Sequence, residues 1–348
     1  MLRSMSRPGR TTLQDVAREA GVSLATVDRV LNRRPGVREN TVGRVQGAMA
    51  KLGFRPDPLA ARLARSADYR FAFVLPSSDN AFMAGLDEQL GLTAEWLAGE
   101  RASVERMFVD VFDPQVLAAA LESLAQGYDG IAVVALDHPR VREAIDGLVE
   151  RGIAVVTLVS DVPSSKRLRF VGIDNSAAGR TAATLMGRFA GGRHGPVGII
   201  AGSLALRDHA ERHYGFAQVI GSDYPGLRAL PPRQGRDDAA RCRLAAEEIL
   251  AAEPDLVGLY NIGSGHEGVA AAVEASGRAD SLIVIGHELT PATRRMLMRG
   301  IFDALIVQDV GHEARSAARI LLAKALSQPI LAEQERIRIE IVVRDNVP

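Results

Sequence analysis

Six polar residues follow short apolar runs of the chain, where each run would end as a strand: Asn80, Asp137, Asp161, Asn261, Glu288 and Gln308. Proteins built on parallel strands bind ligands beyond the carboxyl ends of those strands. These side chains are therefore candidates for one binding site, together with Arg212 from a predicted helix. A site that mixes amide, carboxylate and guanidinium groups suits an uncharged polyhydroxyl ligand. For any single residue, a strand-end cap or a surface contact is the alternative.

Gly263, Gly265 and Gly268 form a G-x-G-x-x-G pattern after a predicted strand. At the first strand–helix turn of a domain this pattern would indicate dinucleotide binding. Here it lies deep in the chain, and a single match is a weak signal. We expect these glycines to allow close packing, with nucleotide binding as the alternative.

Several histidines resemble parts of catalytic or metal sites without completing one. His209 and His213 are four residues apart, but glutamate does not directly follow the first, as it does in zinc proteases. We expect both on a solvated helix face. The pairs His266–Glu267 and His287–Glu288 have no recognisable nucleophile or metal partner. The sequence therefore predicts no catalytic residue, no metal and no cofactor.

A second group of candidate residues lies at the start of a predicted helix near the amino terminus. Arg29 matches the O6 and N7 acceptors of guanine, and Thr26 and Asn32 suit phosphate oxygens. Asp28 could accept a hydrogen bond from cytosine or pair locally with a neighbouring arginine. The full set of predicted DNA-contacting residues from this region is Thr12, Ser23, Leu24, Ala25, Thr26, Asp28, Arg29 and Asn32.

The elements around these residues form a three-helix pattern over residues 12–53. Thr12 precedes Asp15 by three residues, as in a capping box, and Gly21 ends the first predicted helix. Ser23 begins the second helix, and a third covers residues 41–53. A helix, a glycine turn and a second helix place that second helix in the major groove of DNA.

From Tyr69 onward, apolar strand candidates alternate with amphipathic stretches, at 114–126, 139–151, 176–190, 207–220, 237–252, 265–276 and 310–326. This alternation favours parallel sheets with helices on both faces. A single barrel or two doubly wound lobes would each fit. We favour two lobes, because residues 169–179 follow a strand without an intervening helix and would cross between lobes.

Composition fits a globular protein that contacts a polyanion with one segment. The net charge of the 348 residues is zero, yet residues 1–70 contain 14 Lys and Arg against 6 Asp and Glu. That segment carries +8 and the remainder −8, although a solvated basic arm would also account for it. One cysteine, Cys242, excludes a disulfide framework, and no apolar run is long enough to cross a membrane. We expect a cytoplasmic location.

The run from Thr11 to Arg65 resembles the amino-terminal module of the lac repressor family. The shared pieces are DVAxxAGVSxxTVxRVLN, then LGFxP and ARL. The resemblance implies that Leu24 and Ala25 distinguish bases and that Leu63, in the family's hinge helix, inserts into the minor groove. An aspartate at position 28 replaces the usual serine, and Asp57 replaces an asparagine.

The remainder resembles periplasmic sugar-binding proteins, which supply the effector domain of this family. Asn80 and Phe82 match its Asn-x-Phe-aromatic motif, with Met83 in place of the last aromatic residue. Arg212 begins an RxxGF motif whose arginine binds ligand oxygens. Asn261 occupies a hydroxyl-binding position, and Glu288 replaces an aspartate.

The resemblance predicts an all-α helix-turn-helix domain over 1–56, a hinge over 57–69 and a two-lobed α/β ligand domain over 70–348. The lobes would comprise 70–174 with 309–334, and 175–308 with 335–348. It implies a repressor that binds a pseudo-palindromic double-stranded DNA operator as a homodimer, without membrane contact, under control of a sugar or polyol. The missing tetramerising helix favours a dimer. An enzyme using a nicotinamide cofactor and a scaffold that no longer binds DNA are the rival interpretations.

Overall fold

The computed structural model describes residues 11–31, 36–54, 68–77 and 80–348. The chain divides into two compact units, residues 1–67 and 68–348. In the first unit the described helices are α1 (Leu13–Ala20), α2 (Leu24–Leu31) and α3 (Glu39–Lys51). Val16, Val27 and Val45, one from each helix, are fully buried and form the centre of its core.

The second unit begins with a five-stranded parallel sheet. Its strands are β1 (Tyr69–Pro76), β2 (Ala102–Val109), β3 (Gly130–Val133), β4 (Ala154–Leu158) and β5 (Arg169–Val171), in the order β2-β1-β3-β4-β5. The helices between them are α4 (Ala81–Gly99), α5 (Pro114–Ser123) and α6 (Pro139–Glu150). Every residue of β3 and β4 is buried, as expected for strands covered on both faces.

A second sheet has the strand order β12-β11-β10-β9-β6-β7, with β8 paired to β6. Its strands are β6 (Gly195–Ala201), β7 (Leu227–Ala229), β8 (Arg233–Gln234), β9 (Gly258–Asn261), β10 (Ile283–His287), β11 (Ala304–Val307) and β12 (Glu340–Val342). The remaining helices are α7 (Asn175–Ala190), α8 (Arg207–Asp223), α9 (Ala239–Ala252), α10 (His266–Ala275), α11 (Pro291–Met298) and α12 (Val310–Ala325).

The chain passes between the two sheets three times. It crosses after β5 into α7, which packs on the second sheet, and returns through α12, which packs on β3, β4 and α4. The last strand, β12, then pairs antiparallel with β11. We call the first sheet with its helices and α12 the N-lobe, and the second sheet with its helices the C-lobe. The two-lobed α/β prediction is confirmed, and the single barrel is excluded.

The parallel strands of each lobe end towards a shared cavity. Residues that follow β1, β2, β3 and β4 line it from the N-lobe, and residues that follow β6, β9, β10 and β11 line it from the C-lobe. No helix in the described ranges is long and apolar enough to span a bilayer.

Candidate functional site

Three of the predicted contact residues in the helix-turn-helix module are exposed on α2. Leu24 is 45% exposed, and Ala25 and Arg29 are exposed beside it, whereas Val27 packs inward. The Ser23 hydroxyl accepts from the backbone N–H of Thr26 at 3.2 Å and therefore caps the helix. Large side chains that remain exposed at a helix start are available to base edges.

The turn before α2 is fixed by local hydrogen bonds. Thr12 and Asp15 form the predicted capping box at the start of α1, and Gly21 ends that helix with φ of 62°, a left-handed conformation. The Arg44 side chain donates to the carbonyl oxygens of Ala20 and Gly21 at 2.6 and 2.9 Å. Asp28 is half-buried on α2. The predicted contacts Asn32 and Leu63 lie outside the described residues.

A cavity lies between the lobes and is lined by residues from both of them. Five of the eight predicted ligand-binding residues line it: Asn80, Phe82, Arg212, Glu288 and Gln308. The Asn80 side chain also caps α4, accepting from the backbone N–H of Phe82 at 2.9 Å.

Arg212 is held in place by the close approach of α7 and α8. A Cβ atom on Gly179 would lie 2.0 Å from the Arg212 carbonyl oxygen, and one on Gly215 would lie 2.2 Å from the Ser176 carbonyl oxygen. Both glycines are therefore required for the two helices to touch. This contact brings the Arg212 Nε to 2.8 Å from Asn175 Oδ1.

The Arg212 guanidinium is 4% exposed and is largely engaged within the protein. Its Nη1 donates to the Ile262 carbonyl at 3.0 Å, in addition to the Nε bond to Asn175. Its Nη2 lies 3.9 Å from Glu288 Oε1 and has no hydrogen-bond partner in the described part of the chain. Two of the five N–H groups of the guanidinium are therefore bonded within the protein, and those of Nη2 remain for a ligand.

Glu288 and Gln308 form a bonded pair at the C-lobe side of the cavity. The Gln308 side-chain amide donates to Glu288 Oε1 at 2.8 Å, and Gln308 Oε1 is left without a partner among the described residues. Burial raises the pKa of Glu288 to about 7, although the nearby Arg212 charge lowers it. Glu288 therefore titrates near neutral pH.

Two residues that line the cavity have left-handed backbone conformations. Val159 follows β4 with φ of 64°, and Glu288 follows β10 with φ of 63°. A β-branched residue with positive φ is a rare and strained conformation, costing roughly 1–3 kcal/mol. In each lobe, the chain therefore changes direction at the residue that follows the strand and lines the cavity.

Several cavity residues have no counterpart in the sequence-based set: Asp208, His209, Asp237, His266 and His287 line the cavity as well. Tyr260, stacked on Phe216, lies within hydrogen-bond distance of His287, with 2.8 Å between its hydroxyl and Nε2. Burial lowers the pKa of His266 to about 4 and that of His287 well below its ordinary value. Both rings are therefore neutral at physiological pH.

Glu313, on α12, lies behind the cavity wall. It is fully buried, and neither of its carboxyl oxygens has a hydrogen-bond partner in the residues that the structure describes. Burial and the neighbouring Glu288 raise the pKa of Glu313 well above its ordinary value. The protonated form of Glu313 is therefore favoured. The sequence places Glu313 in an amphipathic helix and does not indicate that its carboxyl group is buried without a partner.

Asp137, Asp161 and Asn261 do not line the cavity. Asp137 of the N-lobe pairs with Arg207 of the C-lobe, with 3.3 Å between Oδ2 and Nη1. Asp161 forms an ion pair with Arg167 and accepts from the Thr157 hydroxyl. Asn261 is buried behind the wall, where its amide donates to the Ser264 carbonyl at 3.1 Å.

A second contact joins the lobes near the cavity. The Arg236 guanidinium of the C-lobe lies over the Phe112 ring of the N-lobe, 5.4 Å from its centroid. Such a cation–π contact is attractive. Together with the ion pair of Asp137 and Arg207, it holds the lobes against each other.

The expectation of a solvated face for His209 and His213 is wrong for His209. Its ring is buried in the cavity wall, where Nδ1 accepts from the backbone N–H of Ser203 at 3.1 Å. His213 is half-buried. No group of three His, Cys, Asp or Glu residues within the described ranges could hold a metal ion.

The glycine pattern at Gly263–Gly268 has a packing explanation. A Cβ atom on Gly268 would lie 1.8 Å from the Ala239 carbonyl, so this glycine lets α10 touch α9. A Cβ atom on Gly263 would lie 2.3 Å from Asp237 Oδ1. A carboxylate at the loop would repel a phosphate rather than bind it, which argues against the nucleotide-binding alternative.

Comparisons with known proteins agree with these two parts. The periplasmic binding protein domain family matches residues 71–329, and the bacterial regulatory proteins of the lacI family match residues 12–57. A solute-binding protein of an ABC transporter from Burkholderia graminis, solved in complex with D-arabinose, superposes with a TM-score of 0.72. It is 25% identical, and the match covers 81% of this chain and 97% of that one.

Two regulators illustrate the likeness in sequence. Catabolite control protein A of Streptococcus mutans is 29% identical over 58% of this chain and 57% of its own length. The transcriptional regulator AglR of Rhizobium meliloti is 26% identical over 95% of this chain and 93% of its own. The chain spans 54% to 59% of the length of the first curated relatives that it matches. AglR is a transcriptional regulator by its name. The chain belongs to the lacI family of bacterial regulatory proteins and contains a periplasmic binding protein domain.

Proposed function

We propose that this protein is a transcriptional repressor whose affinity for an operator is set by a small polyhydroxyl ligand in the cavity between the lobes. The observation that carries the proposal is the joint presence, in one chain, of a capped helix-turn-helix with exposed Leu24, Ala25 and Arg29 and a cavity lined by Arg212 and Glu288. Differential binding of the ligand to two lobe arrangements would change DNA affinity by linkage.

On DNA, α2 would enter the major groove of each half-site of a pseudo-palindrome. Leu24, Ala25 and Arg29 would contact base edges. Ser23, Thr26, Asp28 and Asn32 would lie close to the backbone, with Thr12 at the start of α1 nearby. Leu63, from a hinge over residues 57–69, would open the central base step. This hinge would join the helix-turn-helix domain over 1–56 to the ligand domain over 70–348. The proposed location of the protein is the cytoplasm.

The ligand is proposed to be a sugar or polyol. Asn80, Arg212, Glu288 and Gln308 supply hydrogen-bonding groups, and Phe82 supplies an apolar surface for ring C–H groups. The bound D-arabinose of the similar solute-binding protein agrees with this chemistry. Asp137 would act as a contact between the lobes rather than with the ligand, and Asn261 and Asp161 would support the wall.

The protein is proposed to bind DNA as a homodimer. Two large apolar side chains, Leu92 and Trp96, are 56% and 42% exposed on the outer face of α4. Phe108, on the edge strand β2, is 51% exposed. Apolar groups of this size at a sheet edge and an adjacent helix favour coverage by a partner. Sedimentation of Trp96→Glu against the unaltered protein tests this.

Selection of bound sequences from a random duplex pool tests the repressor proposal. We expect enrichment of a pseudo-palindrome whose half-sites are about one helical turn apart. If no palindrome is enriched, the chain is a ligand-binding protein without an operator, and the proposal fails.

A further inference from the structure

The cavity wall carries more negative than positive groups. Asp208, Asp237 and Glu288 line it as carboxyl groups, and Arg212 is the one arginine or lysine among the lining residues that the structure describes. His209 does not add a second positive charge, because its Nδ1 accepts a hydrogen bond from the Ser203 N–H and so carries no proton. The remaining lining histidines, His266 and His287, are buried and neutral.

The positive charge of Arg212 is already engaged within the protein. Two of its nitrogens donate to Asn175 and to the Ile262 carbonyl, and the third lies 3.9 Å from Glu288. Its Nη2 keeps free N–H groups, but the Glu288 carboxyl group beside it offsets the charge that this nitrogen presents to the cavity.

Two residues of the lining also carry buried acceptor atoms that lack a partner. Asp208 is 5% exposed, and its Oδ1 has no hydrogen-bond partner among the described residues. Gln308 is 4% exposed, and its Oε1 also has no hydrogen-bond partner among the described residues. A buried acceptor without a donor costs free energy, so these atoms are stabilised by a ligand that presents N–H or O–H groups to them. Glu313, behind them, increases the density of carboxyl groups.

We propose that the ligand is a polyhydroxyl molecule bearing a cationic amine, an amino sugar or aminopolyol, whose ammonium group binds at the Asp208 and Glu288 carboxylates, and that the cavity rejects anionic sugars. This inference rests on the proposed function, because it names the chemical class of the ligand at that same site. An ammonium group carries three donors, which meet the unpartnered oxygens, and its charge offsets the carboxylates. A phosphate or carboxylate on the ligand would instead face those carboxylates in a medium that screens them poorly.

A two-step binding assay tests the charge selectivity. The first step screens compounds by the shift that each causes in the melting temperature of the protein. The neutral compounds are D-glucose, D-galactose, D-mannose, D-ribose, D-arabinose, sorbitol and inositol. The amino and acid derivatives that exist for each are screened with them. Titration calorimetry on the full chain then compares each responding neutral compound with its amino and acid forms. We expect the amino form to bind about tenfold more tightly than the neutral form, since charge-assisted hydrogen bonds are stronger, and the acid form about tenfold more weakly.

The outcomes separate this inference from the proposed function. Binding of a neutral sugar with weaker binding of its amino form overturns the inference alone, as does tight binding of an acid form. Binding of an amino form when its neutral parent gives no shift supports it. No response to any compound of the panel contradicts the proposed function and the inference with it.

Asp208→Asn tests the assigned carboxylate directly. We expect the ratio of amino to neutral affinity to fall towards one in this variant. Asp223→Asn, at the exposed far end of the same helix α8, is the matched control and should retain the ratio of the unaltered protein. An unchanged ratio in Asp208→Asn overturns the assignment. If that variant does not fold, the same ratio is measured on the unaltered protein at pH 5 and pH 7. It should rise with pH as Glu288 ionises, and a constant ratio counts against the proposal.

Discussion

Asp137 of the N-lobe and Arg207 of the C-lobe form an ion pair across the cleft, with 3.3 Å between Oδ2 and Nη1. Arg207 is itself oriented by Glu211, whose carboxylate lies 2.8 Å from its Nε. Because this pair joins the two lobes, it stabilises their present arrangement around the cavity. The side chain predicted to touch the ligand instead joins the two walls around it.

Loss of this pair should weaken ligand binding modestly. Both side chains are partly exposed, at 22% and 40%, so Asp137→Asn should reduce ligand affinity by about two- to fivefold, as is typical of exposed ion pairs. Titration calorimetry measures the change. Glu122→Gln, which removes an ion pair with Arg140 within the N-lobe, is the control. Equal losses in the two variants would show that the contact between lobes has no special role.

Close contact of α7 and α8 should be essential to the stability of the C-lobe. Gly179→Ala places a methyl group 2.0 Å from the Arg212 carbonyl, so the helices must separate at a cost of roughly 1–3 kcal/mol or more. Gly147→Ala, in α6, meets no atom within 4 Å and should be neutral or stabilising by up to about 1 kcal/mol. Urea unfolding measures both. Similar values for the two would mean that the helices move apart freely.

Glu288 should make stability depend on pH in a defined direction. Its pKa is raised by burial from 4.5 to about 7 in the folded protein, so its protonated form stabilises the fold. This contribution is complete below pH 4.5 and is lost as the pH rises to about 7. The buried histidines, whose pKa values are lowered, act in the opposite direction, because their contribution is lost as the pH falls.

Comparison with Glu288→Gln isolates the carboxyl group from those histidines. Between pH 4.5 and 7 the unfolding free energy of the unaltered protein should fall relative to the variant by about 3 kcal/mol, from 1.36 kcal/mol per pKa unit. Chemical denaturation at several pH values measures this. Glu247→Gln, in an exposed pair with Arg243, should show no such trend. A difference that is constant with pH would contradict the assignment.

Arg29 should account for preference at one base pair of each half-site. Arg29→Ala should cost about 1–3 kcal/mol of binding on the best operator and relax that preference. Arg18→Ala, which removes an exposed positive charge from α1, should weaken binding evenly across sequences. Fluorescence anisotropy on operator variants distinguishes the two effects. Preference retained at every position in Arg29→Ala would contradict the role given to this residue.

Local patterns in the sequence were sufficient to predict most helices and strands, but they did not predict α4. The helix at Ala81–Gly99 is absent from the amphipathic stretches because apolar residues occur on both of its faces. Leu86 and Leu90 are buried, whereas Leu92 and Trp96 are exposed. A helix with two apolar faces has no clear 3.6-residue period.

Site residues were predictable where strand ends alone determine position, as for Asn80, Glu288 and Gln308. The positions of the other site residues depend on which side chains meet in the folded chain. Asp161 follows its strand as expected, but Arg167, six residues later, binds its carboxylate. His209 occupies a helix that looked solvated, yet its ring is buried beside Gly202, Ser203 and Gly263 of the same lobe. Sequence spacing does not encode which side chain from a distant element will neutralise a given charge.

The central claim is that one chain couples a ligand in the lobe cavity to operator binding, and the operator affinity with and without ligand tests it most directly. Full-length protein is titrated onto the selected operator by fluorescence anisotropy at fixed salt, alone and with a saturating amount of the compound that binds most tightly in calorimetry. The account predicts a change in Kd of about 5- to 150-fold, in either direction. An operator Kd that is unchanged by a ligand known to occupy the cavity would contradict it.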